Sequence, residues 1–157
     1  MLRRALTMTA TALLVPAISG CSFLGIGGGD DSKGVSVFDA KVGQCFESPS
    51  EVKTQISKIQ QIDCAKPHYS ELYAKIDYKT ADGSKDYPGD DAIGKFAEGA
   101  CAEAFQPYVG VSYLDSSLYD TYLAPSARSW QDADRTVLCL ITDAGTPMVG
   151  SVKGSKK

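Results

Sequence analysis

The chain has one histidine, His68, and one tryptophan, Trp130, among 157 residues. Nucleophilic catalysis needs a nucleophile, a base and a group that orients the base. The sequence has no Gly-x-Ser-x-Gly elbow to carry the nucleophile and no second histidine. It has no Cys-x2-Cys pair, and His68 is not in a ligand pattern, so no zinc site is expected. Asp82, Asp86, Asp90 and Asp91 are acidic enough to suggest calcium, but the Gly and Glu spacing of an EF-hand is missing. A solvated loop and a helix start explain them better. Basic residues are not gathered into a run that could track a nucleic-acid backbone, which excludes that partner class. A bilayer-spanning helix needs about 20 apolar residues, and no such run is present.

A shorter apolar run stands at the start. Arg3 and Arg4 precede Ala5 to Val15, Pro16 follows, and Ser19 and Gly20 stand before Cys21. This is the order of positive, apolar and small residues that a secretory leader requires. Ile18, Ser19, Gly20 and Cys21 resemble a bacterial lipobox, in which the cysteine thiol receives a diacylglyceryl group. The resemblance implies a signal peptide over residues 1–20 and a lipidated, palmitate-bearing Cys21. The expected location is the extracytoplasmic face of the cell membrane, with the lipid as membrane partner. Two or more acyl chains anchor stably, at ~0.8 kcal/mol per buried methylene, where one chain alone is marginal. Residues 21–34 are glycine-rich and read as a flexible tether. Loss of Arg3 and Arg4 with the leader moves the formal charge from −3 to −5.

Cys45, Cys64, Cys101 and Cys139 then remain, an even count that reads as two disulfides in an exported domain, with three connectivities open. Cys45 with Cys64 and Cys101 with Cys139 is the favoured pairing. The first pair would bracket a compact excursion, and the second would pin a helix to a strand.

The hydrophobic share of 43% is that of a globular domain, and residues 35–152 are read as one. Val35 to Phe46 suggests a strand interrupted at Gly43. Lys53 to Cys64 carries Ile56, Ile59 and Ile62 at intervals of three, open to helix or strand, and its β-branched content and terminal cysteine favour strand. Glu71 to Tyr78 alternates, with Leu72, Ala74, Ile76 and Tyr78 on one face and Tyr73, Lys75 and Asp77 on the other. A helix capped by Asp90 or Asp91 should run to about Tyr108, with Ile93, Phe96, Ala97, Ala100, Cys101, Ala104 and Phe105 on its apolar face. Leu118 to Ala124 and Arg135 to Thr142 are further strands. The second is apolar on both faces and therefore central. Ser126 to Asp134 reads as a turn-rich connection, Met148 to Val152 as a short edge strand, and residues 153–157 as a basic tail. The class is α+β: a small antiparallel sheet with one main helix packed on it, held by two disulfides.

Val42 to Phe46, Ile62 to Tyr73 with its Cys-x2-Pro-His stretch, Tyr87 to Gly89, Cys101 to Phe105, Trp130, and Asp134, Arg135 and Cys139 together resemble the actinobacterial septum formation domain family. The resemblance covers roughly Phe38 to Ser151. It implies a small extracytoplasmic module on membrane-attached proteins, with a link to cell division. Ala133 departs from the pattern, which has Gly before Asp134 and Arg135, and a positive φ there would be costly for alanine.

His68 with Glu71 three residues on could form a base and its orienter, but without further parts His68 is expected to cap or turn the chain beside Cys64 and Pro67. Arg135 near Trp130 could recognise an anion or stack on the indole. It is more simply a donor tying the connection to the last strand. The candidate binding residues are therefore His68, Tyr69, Tyr73, Trp130 and Arg135, with no catalytic residue, metal or cofactor. The expected function is a non-catalytic binding or interaction module of the cell envelope that engages an envelope protein or cell-wall partner through exposed aromatics. The competing reading is a carrier for a small or lipidic ligand, which would need an apolar cavity between helix and sheet.

Overall fold

The structure is a computed structural model that describes residues 33–48, 58–80 and 83–157. The expected signal peptide and the expected lipidation site, Cys21, lie outside the described residues. Six strands form one sheet: β1 (Lys33–Ser36), β2 (Cys45–Phe46), β3 (Lys58–Ile62), β4 (Ser70–Asp77), β5 (Tyr119–Leu123) and β6 (Thr136–Thr142). Their order is β1-β3-β2-β4-β6-β5, and every pairing is antiparallel. The long helix α1 (Asp90–Val109) covers one face, and a short helix α2 (Ala127–Gln131) links β5 to β6.

β6 lies between β4 and β5, as its two apolar faces require. Val137, Cys139 and Ile141 join the core beneath α1, while Leu138 and Leu140 pack on the far face with Ala40, Phe46 and Leu72. The simple alternation expected in β4 does not hold. The register shifts between Leu72 and Ala74, and a bulge of this kind puts neighbouring residues on one side. Tyr73 therefore joins Ala74, Ile76 and Tyr78 against α1, and Leu72 turns to the other face.

Val35 to Phe46 is two strands and not one. β1 pairs with β3 at the sheet edge, whereas β2 sits between β3 and β4. The chain turns between them, and Gly43 adopts a φ of 90° that favours glycine. Lys75 holds this excursion over the sheet by donating from Nζ to the carbonyls of Phe38 (3.0 Å) and Ala40 (2.9 Å).

α1 buries Ile93, Ala97, Cys101, Phe105 and Val109, one stripe at four-residue spacing. Its N-cap is Gly89, with no side-chain cap. Asp90 and Asp91 instead occupy the first turn, where the helix dipole favours negative charge. The helix runs through Pro107 and ends at Gly110, whose φ is 91° and whose N–H donates to Gln106. Its last carbonyls are met by the C-terminal segment: Gly154 donates to Tyr108 at 2.8 Å and Lys156 to Val109 at 2.9 Å. Residues 153–157 are thus a cap as well as a charged tail. Met148 to Val152 is not a strand. It makes one isolated bridge, between His68 and Met148.

Both expected disulfides are present, Cys45–Cys64 and Cys101–Cys139. Their sequence separations of 19 and 38 correspond to about 3 and 4 kcal/mol by chain entropy. The second ties α1 to β6 through two sulfurs in the core.

Candidate functional site

His68 and Glu71 are both fully buried, the polar exceptions in the core. Glu71 lies in β4 on the helix side and is surrounded by donors. Its Oε1 accepts from the Tyr108 hydroxyl at 2.5 Å and the Ser151 hydroxyl at 2.6 Å, and its Oε2 from the Val152 N–H at 2.8 Å. A buried carboxylate is tolerated where its lone pairs are met in this way. Burial, and then the bond to Glu71, push the Tyr108 hydroxyl well above the ordinary tyrosine range, so it remains a donor. One side chain therefore joins β4, the end of α1 and the C-terminal segment.

His68 is fixed by its backbone, which donates to Met148 at 2.9 Å and accepts from Met148 at 2.7 Å. Its Nδ1 lies 2.9 Å from the Lys66 carbonyl. A carbonyl only accepts, so Nδ1 carries the hydrogen. Nε2 has no hydrogen-bond partner, alone in this among the buried side-chain nitrogens and oxygens of the described residues. A ring nitrogen of His68, Cys45 Sγ and a Glu71 oxygen lie within 4.8 Å of one another. They cannot close on a metal ion while Cys45 Sγ is bonded to Cys64 and both Glu71 oxygens are occupied by donors. His68 does turn the chain beside Cys64 and Pro67, but from inside the core, and Glu71 is not its hydrogen-bond partner.

The other candidates separate. Tyr69 is 38% exposed. Tyr73 is in the core, its ring edge-on to Phe105 and its hydroxyl donated to the Cys101 carbonyl at 2.8 Å. The exposed aromatic patch expected around Tyr69 and Tyr73 is thereby reduced to Tyr69, because the β4 bulge turns Tyr73 inward. Trp130 is also buried, between Tyr78 and Tyr87, with Nε1 donating to Lys85 at 2.7 Å. Arg135 lies over the indole, its guanidinium carbon 3.5 Å from the ring centroid, and Nη1 donates to the carbonyls of Trp130 and Asp134. It ties α2 to β6.

The surface feature missed by the sequence reading is an open groove of about 970 Å³ on the sheet face away from α1. Phe38, Lys75, Asp77, Arg128, Arg135 and Leu138 contribute to its walls. The Ser126 capping box that starts α2 places Arg128 there. The sequence signal for that box was Ser126 with Ser129, two small hydroxyls in a segment read as loop. Phe38 is 54% exposed at the groove's rim.

A one-layer antiparallel sheet, one long helix and a helix-to-sheet disulfide define a small stapled α+β module with two fully buried polar side chains, His68 and Glu71. Residues 42–156 match the septum formation family, and the chain belongs to that family. No curated protein and no solved structure matches it.

Proposed function

We propose that the chain is a membrane-anchored, extracytoplasmic lipoprotein whose domain is a non-catalytic binding or interaction module of the cell envelope, serving septum formation. The observation that carries this reading is the inward commitment of His68 and Glu71. The groups best suited to acid–base chemistry hold the fold together, while the groove between Phe38 and Arg128 stands open with mixed apolar and charged walls. Such a surface suits an envelope protein or cell-wall partner. Family membership supports the division role. The carrier reading is less well supported, because Tyr73, Ile93, Ala97, Phe105 and Val137 fill the space between α1 and the sheet.

Proximity labelling from the intact, anchored chain should enrich one envelope partner. Phe38→Ala combined with Arg128→Glu should lower that capture about tenfold, ~1.4 kcal/mol of binding free energy, without moving the urea midpoint. Undiminished capture by the double variant, or a lipid co-purifying in stoichiometric amount, would overturn the reading.

A further inference from the structure

We propose that Cys45–Cys64 is a thiol–disulfide exchange site, attacked by an external thiol at Cys64 and served from within by His68, whereas Cys101–Cys139 is structural only. This goes beyond the binding reading and does not depend on it. The two bridges differ in access. Cys101 and Cys139 are fully buried between α1 and β6. Cys64 is half-buried and, with Cys45, lines a shallow opening of about 420 Å³ bordered by Gly43, Gln44 and Asp63. An incoming thiolate can approach Cys64, while Cys45 Sγ faces the interior beside His68 and Glu71.

Attack and leaving roles follow from that geometry. A thiolate RS⁻ forms a bond to Cys64 Sγ, the Cys45–Cys64 bond breaks, and its electron pair stays on Cys45 Sγ as the leaving group. The proton given up by RSH is taken back at Cys45, whose Sγ shares a buried cluster with the His68 ring, so that a small movement of the new thiol would let its S–H donate to the ring's free nitrogen. A second RSH attacks the mixed disulfide and releases RSSR with a Cys64 thiol. Two thiols are oxidised and one disulfide is reduced. The reactant is an accessible cysteine thiol, whether on a small molecule or on a protein dithiol.

The unpartnered Nε2 supplies the bias. A buried nitrogen without a donor is unfavourable in the disulfide form, and because the Lys66 carbonyl holds the hydrogen at Nδ1, the Nε2 lone pair is available. Reduction creates a donor in the cluster of Cys45 Sγ, a His68 ring nitrogen and a Glu71 oxygen, whose atoms lie within 4.8 Å of one another. The histidine therefore stabilises the dithiol relative to the disulfide, which makes the bridge more reducible than one without such a neighbour.

The test uses the full-length protein in glutathione redox buffers, quenched with acid, then alkylated under denaturing conditions and mapped by mass spectrometry. Cys45 and Cys64 should become reduced while Cys101–Cys139 stays intact and the domain stays folded, and the glutathione adduct should be on Cys64. His68→Phe should shift the equilibrium about tenfold toward the disulfide, ~30 mV for a two-electron couple. A parallel arm with thioredoxin in place of glutathione distinguishes a protein dithiol from a small thiol by its rate. Reduction of both bridges together, an adduct on Cys45, or an unchanged equilibrium in folded His68→Phe would overturn the proposal. The order of reduction and the adduct position are read on the wild-type chain, so they decide the question even if the variant does not fold.

Discussion

Glu71→Gln changes one atom of a fully buried side chain and preserves its shape, and it should cost the domain about 2 kcal/mol. Glu71 accepts three hydrogen bonds, two from the hydroxyls of Tyr108 and Ser151 and one from the Val152 N–H. Bonds to a charged acceptor contribute roughly 1.5–3 kcal/mol each, against roughly 0.5–1.5 for neutral pairs. In the glutamine variant the amide oxygen can keep Val152, which has no freedom to turn. The NH₂ then faces two hydroxyls that must rotate to accept from it, and their own protons lose their acceptor. Part of the loss is returned, because a buried amide is cheaper to desolvate than a carboxylate. Glu71→Ala returns nothing to its donors and opens a cavity, so about 4 kcal/mol is expected. Urea unfolding read by tryptophan fluorescence measures both. With an m-value of roughly 1–3 kcal/mol/M, the glutamine variant should lose about 1 M in midpoint at unchanged slope. Tyr108→Phe paired with Glu71→Gln in a double-mutant cycle should show coupling of about 1–2 kcal/mol. A glutamine variant within about 0.5 kcal/mol of wild type would mean that Glu71 does not hold the C-terminal segment to β4.

Cys21→Ala should leave an unprocessed, unlipidated precursor; mature protein still extracted with membranes would sink the anchor assignment. Ala133→Gly should stabilise the domain by ~0.5–1 kcal/mol, because Ala133 sits at a φ of 65° that is costly for any residue with a Cβ; a lower melting temperature would refute this. At alkaline pH, stability should fall from about pH 10, where tyrosines ionise in the unfolded chain. Tyr73, Tyr108 and Tyr113 are raised above their ordinary value, first by burial, and Tyr87 is pushed up to about 12 by burial and then its bond to Asp90. A raised value means the stabilisation is complete below the unfolded value and is lost as pH climbs toward the folded one, so absorbance near 295 nm should show these tyrosines ionising above the ordinary tyrosine range while the domain stays folded. Titration of all eight tyrosines in a single step near pH 10, with the fold intact, would contradict it.

What the sequence disclosed and what it hid divide along the range of the interactions. β6 was legible because Val137 to Ile141 is apolar on both faces, and only a central strand can bury both. α1 was legible because a four-residue stripe from Ile93 to Phe105 has no other efficient use, and Cys101 on that stripe foretold its bridge to the sheet. The faces of β4 were misread because a single bulge at Tyr73 inverts the alternation, and nothing local distinguishes that tyrosine from one on a regular strand. The interruption at Gly43 was legible from the glycine itself, but β1 ends earlier, at Ser36, where the chain turns without a glycine or proline to mark it. α2 is invisible in the sequence because its five helical residues make too little periodicity to see, and its capping box is built from serines that also suit turns.

The candidate site was harder to read because its partners are remote. Ser151 and Val152 are separated from Glu71 by 80 and 81 residues, and Tyr108 by 37. A glutamate between Ser70 and Leu72 in a strand pairing both β2 and β6 does carry one signal: on an inward face it must find donors, and a central strand supplies none from its own side chains. The segment after β6 meets that demand without forming a strand. Its backbone bridges His68 through Met148, reaches the Cys64 carbonyl through Gly150, donates to Glu71 from Val152, and caps α1 from Gly154 and Lys156. Each contact is a backbone group fixed in place by the others, so the segment's order depends on its acceptors more than on its own propensity. The same closure buries His68 beside the inner sulfur of Cys45–Cys64. The polar core that removes the histidine from solvent chemistry is therefore also what places a ring with one unpartnered nitrogen in the same buried cluster as Cys45 Sγ, in a disulfide whose other half, Cys64, is only half-buried.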